Sequence, residues 1–177
     1  MGGGDKALCQ FRGSTLIAAV IARLSPQVAG IAINAGGDPA RYASFGLPVV
    51  ADSIPEQPGP LAGILAAMDW AAAKGAETVV TAPCDTPFLP ADLVARLFDS
   101  PGGGIVLAAS AGRTHPTVGL WPVSLRTQLR NLLLSGERKV LAFADRQDTM
   151  IVEYPPTKPD SFSNINTAAD LAALVAL

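Results

Sequence analysis

Short apolar runs of strand length alternate with stretches of helical periodicity along most of this chain, and that alternation leaves few folds open. Val28 to Asn34, Leu47 to Ala51, Thr78 to Ala82, Ile105 to Ala109 and Thr117 to Trp121 read as strands. Between them, Ile17, Val20, Ile21 and Leu24 fall on one helical face behind a cap at Ser14, and Leu61, Ile64, Leu65 and Met68 on another behind Pro60. Further helices are expected over Pro90 to Phe98, from Ser124 to a stop at Gly136, over Glu137 to Ala144, and from Thr167, whose spacing to Asp170 suits a capping box. Pro155 to Asp160 reads as a loop. The pattern predicts an α/β, Rossmann-like domain: a mostly parallel sheet with helices on both faces.

The 177 residues suffice for one domain with a substantial core, and we expect a single domain over 1–177. A formal charge of −2, with no basic run longer than Arg138-Lys139, argues against wrapping a nucleic acid. No apolar stretch approaches the roughly 20 residues that cross a bilayer, and the first residues lack a signal-peptide core. Two cysteines, Cys9 and Cys84, give neither a disulfide framework nor metal-type spacing, which points to the cytoplasm.

Three apolar runs end in a residue suited to holding nucleotides or metals: Asn34, Asp52 and Asp85. Ligands of open α/β sheets bind beyond the carboxyl ends of the strands, so three segments aim polar groups at one edge. Each residue alone could equally be a turn former closing its strand. Asp85 is the sharpest case, because Pro83 and Pro87 stiffen its loop, and one fixed carboxylate suits Mg²⁺ with phosphate oxygens and waters. Gly2-Gly3-Gly4-Asp5-Lys6 reads as a phosphate loop, with Lys6 supplying charge, or as a flexible terminus. Pro58 to Gly63 is a rigid turn able to offer backbone groups to a base edge, or an ordinary helix start. His115 has no obvious Ser or Cys partner for a triad, and Cys84 has no positive neighbour to activate it.

In order, these segments resemble the molybdenum cofactor guanylyltransferase family. The matching stretches are Met1-Gly2-Gly3-Gly4-Asp5-Lys6, Asn34, Asp52-Ser53, Pro58-Gly59-Pro60-Leu61-Ala62-Gly63 and Cys84-Asp85-Thr86-Pro87-Phe88. They continue through His115-Pro116-Thr117, Gly136-Glu137-Arg138 and Asn164-Ile165-Asn166-Thr167. Family members open with a strand and Leu-Ala-Gly-Gly-x-Ser-x-Arg, which this sequence lacks, so the resemblance implies an N-terminally truncated domain with its start assigned too far downstream.

The resemblance implies a nucleotide-diphospho-sugar transferase-like fold and transfer of GMP from GTP to molybdopterin, releasing pyrophosphate. Carried across, Lys6 and Asp85 would be catalytic, and Lys6, Asn34, Asp52 and Asp85 would bind GTP. Asp85 would hold Mg²⁺, and Pro60, Leu61, His115, Asn164 and Asn166 are candidate substrate-binding residues. Cofactor-delivery proteins and molybdoenzymes are implied partners. Competing readings are a cytidylyltransferase or sugar-phosphate nucleotidyltransferase, and a truncated, non-catalytic nucleotide- or cofactor-binding protein.

Overall fold

A computed structural model describes residues 5–54 and 59–165. Gly2 to Gly4, Pro58, Asn166 and the helix expected from Thr167 lie outside the described residues.

Asp5 opens a 3-10 turn over Lys6–Leu8 by accepting the Ala7 N–H at 3.1 Å. A hairpin that the sequence reading passed over follows: β1 (Gln10–Phe11) and β2 (Ser14–Thr15) pair antiparallel across Arg12-Gly13. Both turn residues have positive φ, 47° and 81°, as a two-residue hairpin turn of this hand requires. Helix α1 (Leu16–Leu24) starts after Thr15, not Ser14, because the Thr15 hydroxyl accepts the Ala18 N–H at 3.3 Å.

Next come β3 (Ile33–Asn34), a 3-10 segment at Pro39–Phe45, β4 (Val49–Val50), α2 (Pro60–Ala73), β5 (Thr78–Thr81) and α3 (Leu93–Phe98). The chain continues through β6 (Ile105–Ser110), β7 (Arg113–Pro122), α4 (Arg126–Leu134), α5 (Val140–Ala144) and β8 (Thr149–Tyr154). The strand expected from Val28 contracts to two residues, because β4 offers only Val49 and Val50 as ladder partners.

Two ladders are parallel, β3 with β4 and β6 with β8. Strand β7 runs against both of its neighbours, β5 and β6, so the sheet is mixed. The reason is local: only Ala111 and Gly112 separate β6 from β7, and a parallel return needs a crossover of a dozen or more residues. Gly119 lets β7 approach β6 closely, since a Cβ there would lie 2.7 Å from both the Val106 carbonyl oxygen and a Leu107 methyl. Among the described residues β3–β4 forms one sheet and β5–β7–β6–β8 another.

Helices cover both faces of the larger sheet, as the alternation implied. On one side Leu61, Leu65 and Met68 of α2, Leu129 and Leu133 of α4 and Phe143 of α5 pack on Ile105, Leu107 and Trp121. On the other, Val20 of α1 and Leu93 and Leu97 of α3 meet Val106, Ala108, Val118 and Leu120. Successive residues of β6 thus feed opposite cores, and each buried Leu or Met contributes about 1.5–3 kcal/mol. Among the described residues, no helix is long and apolar enough to cross a membrane.

Candidate active site at the carboxyl edge of the strands

Asp85 stands four residues beyond β5, and one of its carboxylate oxygens, Oδ2, accepts a hydrogen bond from Lys6 Nζ. Its side chain is largely buried. The other oxygen, Oδ1, is buried with no hydrogen-bond partner among the described residues. An orphaned buried acceptor is costly, so it marks a place where a ligand completes the shell. Asp85's loop is tied down by its backbone, since the Asp85 carbonyl accepts the Ile165 N–H at 3.0 Å.

Asp5, the residue before Lys6, is itself tied down. Its carboxylate accepts Arg41 Nη1 at 2.9 Å and the Tyr42 hydroxyl at 2.5 Å. Burial, then the Asp5 carboxylate, pushes the Tyr42 phenol up to about 12, so it remains a donor at any ordinary pH. Asn34 and Asp52 form a second pair at the ends of the parallel β3 and β4: Asn34 Nδ2 donates to Asp52 Oδ1 at 3.0 Å and to the Val50 carbonyl at 3.1 Å. Helix α2 comes up beneath them at Gly63, where a Cβ would lie 2.5 Å from Asn34 Oδ1.

One apolar cluster underlies both pairs. Ala7, Ile33 and Tyr42 are buried in it, with Val49 and Cys84 packed against them. Ala7, Ile33 and Cys84 are the sequence neighbours of Lys6, Asn34 and Asp85, so the polar residues emerge from a common base. Lys6 is thus paired with Asp85 and Asn34 with Asp52, and the two pairs stand on a shared apolar base. Burial, followed by the Asp85 charge, pushes the Cys84 thiol up to about 11, as expected of a packed cysteine rather than a nucleophile.

Other candidates fare differently. Pro60 is exposed at the start of α2, but Leu61 is wholly buried in the core, so its side chain packs and does not face a substrate. His115 does have a serine partner, contrary to the sequence reading: its Nε2 lies 2.8 Å from Ser110 Oγ across the β6–β7 ladder. Ser110 is buried, and the imidazole stacks on Phe162 at 4.7 Å, so the pair is packed away from any attacking position. Phe162 leads through exposed Asn164 to Ile165, which places His115 behind the segment bonded to Asp85. The motif Gly136-Glu137-Arg138 is a helix junction: Glu137 accepts the N–H groups of Arg138 and Lys139, which hold its carboxyl below the usual range.

Sequence reading missed Arg41 and Tyr42 as the partners of Asp5, the residue beside Lys6. Asp5 was visible in the glycine-rich stretch, but its partners lie 36 and 37 residues away, and no local pattern reveals such a contact.

Burial lowers the His115 pKa from 6.5, outweighing Asp160 and Glu153, while Arg113 acts in the same direction as burial. The unfolded chain then binds the proton more readily, so stability falls as pH drops through about 6.5 and below. Melting temperature is expected to decline between about pH 7.5 and 5.5 more steeply in the parent than in His115→Gln. Equal slopes would remove His115 as the source.

Among the described residues no group of three or more His, Cys, Asp or Glu side chains is gathered for a metal. A single carboxylate with an open oxygen is nevertheless what Mg²⁺ uses when phosphates and waters supply the remaining ligands, and Asp85 Oδ1 fits that part.

The chain as a whole is similar to known proteins. Residues 1–150 match the MobA-like NTP transferase domain. The chain is 51% identical to a molybdenum cofactor guanylyltransferase of Rhodopseudomonas palustris (strain BisB5), covering 97% of this chain and 85% of that protein. Another protein of that name, from Cereibacter sphaeroides, is 46% identical, over 97% of this chain and 87% of its own length. In fold, it is similar to molybdopterin-guanine dinucleotide biosynthesis protein A of Archaeoglobus fulgidus, with a TM-score of 0.73, 24% identity, and coverage of 98% and 90%. It also resembles the 2-C-methyl-D-erythritol 4-phosphate cytidylyltransferase of Thermus thermophilus, with a TM-score of 0.68, 18% identity, and coverage of 98% and 94%. With the α/β fold and this match over most of its length, the chain belongs to the MobA-like NTP transferase family.

Proposed function

We propose that this protein transfers GMP from GTP to molybdopterin, forming molybdopterin guanine dinucleotide and releasing pyrophosphate. The observation that carries the chemistry is the Lys6–Asp85 pair, whose buried oxygen Oδ1 has no hydrogen-bond partner among the described residues, together with the Asn34–Asp52 pair at the ends of β3 and β4. The identity of GTP and molybdopterin rests on the named relatives.

In this reading a phosphate oxygen of the acceptor attacks the α-phosphorus of GTP, and the bond to the β-phosphate oxygen breaks with its electrons leaving on pyrophosphate. Lys6 contacts the phosphates, and Asn34 and Asp52 orient the nucleotide. Asp85 would hold Mg²⁺, which supplies charge neutralisation to the phosphates when bound. Positioning and neutralisation are what this reaction demands, and no protein nucleophile is needed. Cys84 stays protonated and Ser110 is covered, in keeping with that. Asn164 borders the bound substrates and His115 supports it from behind. The unpaired Cys9 and Cys84 suit the cytoplasm as the place of reaction.

The test is steady-state turnover with molybdopterin as acceptor and either GTP or CTP as donor. A preference for GTP of about a hundredfold in kcat/KM is expected, since a good bidentate hydrogen-bonded contact to a base edge discriminates by about 1–3 kcal/mol. Equal or better use of CTP would transfer the protein to the cytidylyltransferases, and nucleotide binding without turnover would favour the non-catalytic reading.

A further inference from the structure

Asp52 lies two residues past Val50, the last ladder position of β4, so backbone pairing does not set its direction. The next residue is anchored from below. Ser53 Oγ donates to Asp69 Oδ2 at 2.6 Å, and Arg130 Nη2 donates to the same oxygen at 2.5 Å. Asp69 is on α2 and Arg130 on α4, two helices packed in one core cluster with Ile54 against it. Three segments far apart in sequence thus converge on one carboxylate oxygen directly behind a residue of the candidate site.

The ion pair is a weak candidate for a stability device. Asp69 and Arg130 keep 31% and 38% of their side-chain surface exposed, and such pairs contribute about 0–1 kcal/mol. What the arrangement does provide is direction. A hydroxyl donating to an oxygen already fixed by a guanidinium has one favourable rotamer, and its backbone is the peptide that carries Asp52. Arg130 also offsets the Asp69 charge, which would otherwise sit uncompensated near a polyanionic ligand.

We propose that Ser53, Asp69 and Arg130 form a positioning clamp that presets Asp52 toward the nucleotide, so that GTP affinity depends on a contact none of the three makes with the ligand. The inference rests on Asp52 being a nucleotide ligand, and its test separates the two.

GTP is titrated calorimetrically, with Mg²⁺ in the buffer, into the parent, Ser53→Ala, Asp69→Asn, Asp52→Ala and the double variant Ser53→Ala/Asp52→Ala. Ser53→Ala and Asp69→Asn are each expected to weaken GTP binding about fivefold, with melting temperatures near the parent's. In the Asp52→Ala background, Ser53→Ala is expected to add less than about twofold, because the residue it positions is gone. A purely structural role would instead multiply the two losses, which overturns the clamp. So would parent-like binding by both Ser53→Ala and Asp69→Asn while Asp52→Ala is weakened. If Asp52→Ala itself binds GTP like the parent, the assignment of Asp52 to the nucleotide fails, and the clamp with it.

Discussion

Replacing Asp85 by asparagine is expected to lower turnover by about three orders of magnitude while leaving the fold in place. The size follows from removing a fixed charge aimed at a reacting phosphate, where one lost electrostatic contact commonly costs a factor of about 10²–10³ and a lost metal ligand costs several kcal/mol. Asparagine keeps the side chain's volume and the backbone carbonyl that accepts the Ile165 N–H, so the loop retains its tie. Two things change. Lys6 loses its charged partner, and the open oxygen Oδ1 no longer carries the charge that would attract a divalent cation. Turnover measured across a Mg²⁺ series, with a thermal melt alongside, checks this. Parent-like turnover at every Mg²⁺ concentration would dispose of the metal assignment and the catalytic role together.

Gly63→Ala should uncouple nucleotide binding from stability. A methyl group there would lie 2.5 Å from Asn34 Oδ1 and 3.9 Å from Asp52 Oδ1. The first separation is shorter than packed atoms tolerate, and Asn34 has too short a side chain to yield without swinging off Asp52. Its 3.0 Å bond to Asp52 is then lost, and both residues are misdirected at once. The helix gains from the same change, because alanine is favoured over glycine inside helices by about 1 kcal/mol. We expect GTP binding weakened by at least about tenfold, the scale of one displaced hydrogen-bonding pair, in a protein that melts no lower than the parent. Unchanged affinity would mean that Asn34 has room the geometry denies, or that it does not meet the nucleotide.

How much of this could be read beforehand varied with the range of the interactions. The helix over Leu61, Ile64, Leu65 and Met68 was plain, because its buried face is written at helical spacing in adjacent residues. Asn34, Asp52 and Asp85 were legible for a similar reason, each being a polar end to an apolar run. The opposed direction of β7 was less so, although Ala111-Gly112 held the clue: two residues turn a hairpin and nothing else. Strand β8 escaped because it lies beside β6 and mixes Thr149 and Glu153 into its apolar residues, leaving Met150 and Ile151 partly exposed. Ser110 next to His115, and the ring of partners around Asp5 and Asp69, depend on which strands and helices become neighbours. Such partners are decided by the assembled fold, whereas capping, turn and periodicity signals are decided within a few residues.

The placing of β3–β4 and β5–β7–β6–β8 in separate sheets has a mechanical consequence. Asn34 and Asp52 sit at the end of the β3–β4 sheet and Asp85 beyond a strand of the four-stranded sheet, and among the described residues no backbone ladder joins the two. Asp5 is the rivet across that seam: its own carboxylate grips Arg41 and Tyr42 beyond β3, while the adjoining Lys6 grips Asp85 beyond β5. The spacing between the two jaws of the grip is therefore held by side-chain contacts at one short turn and by the apolar cluster beneath it, rather than by a continuous backbone weave.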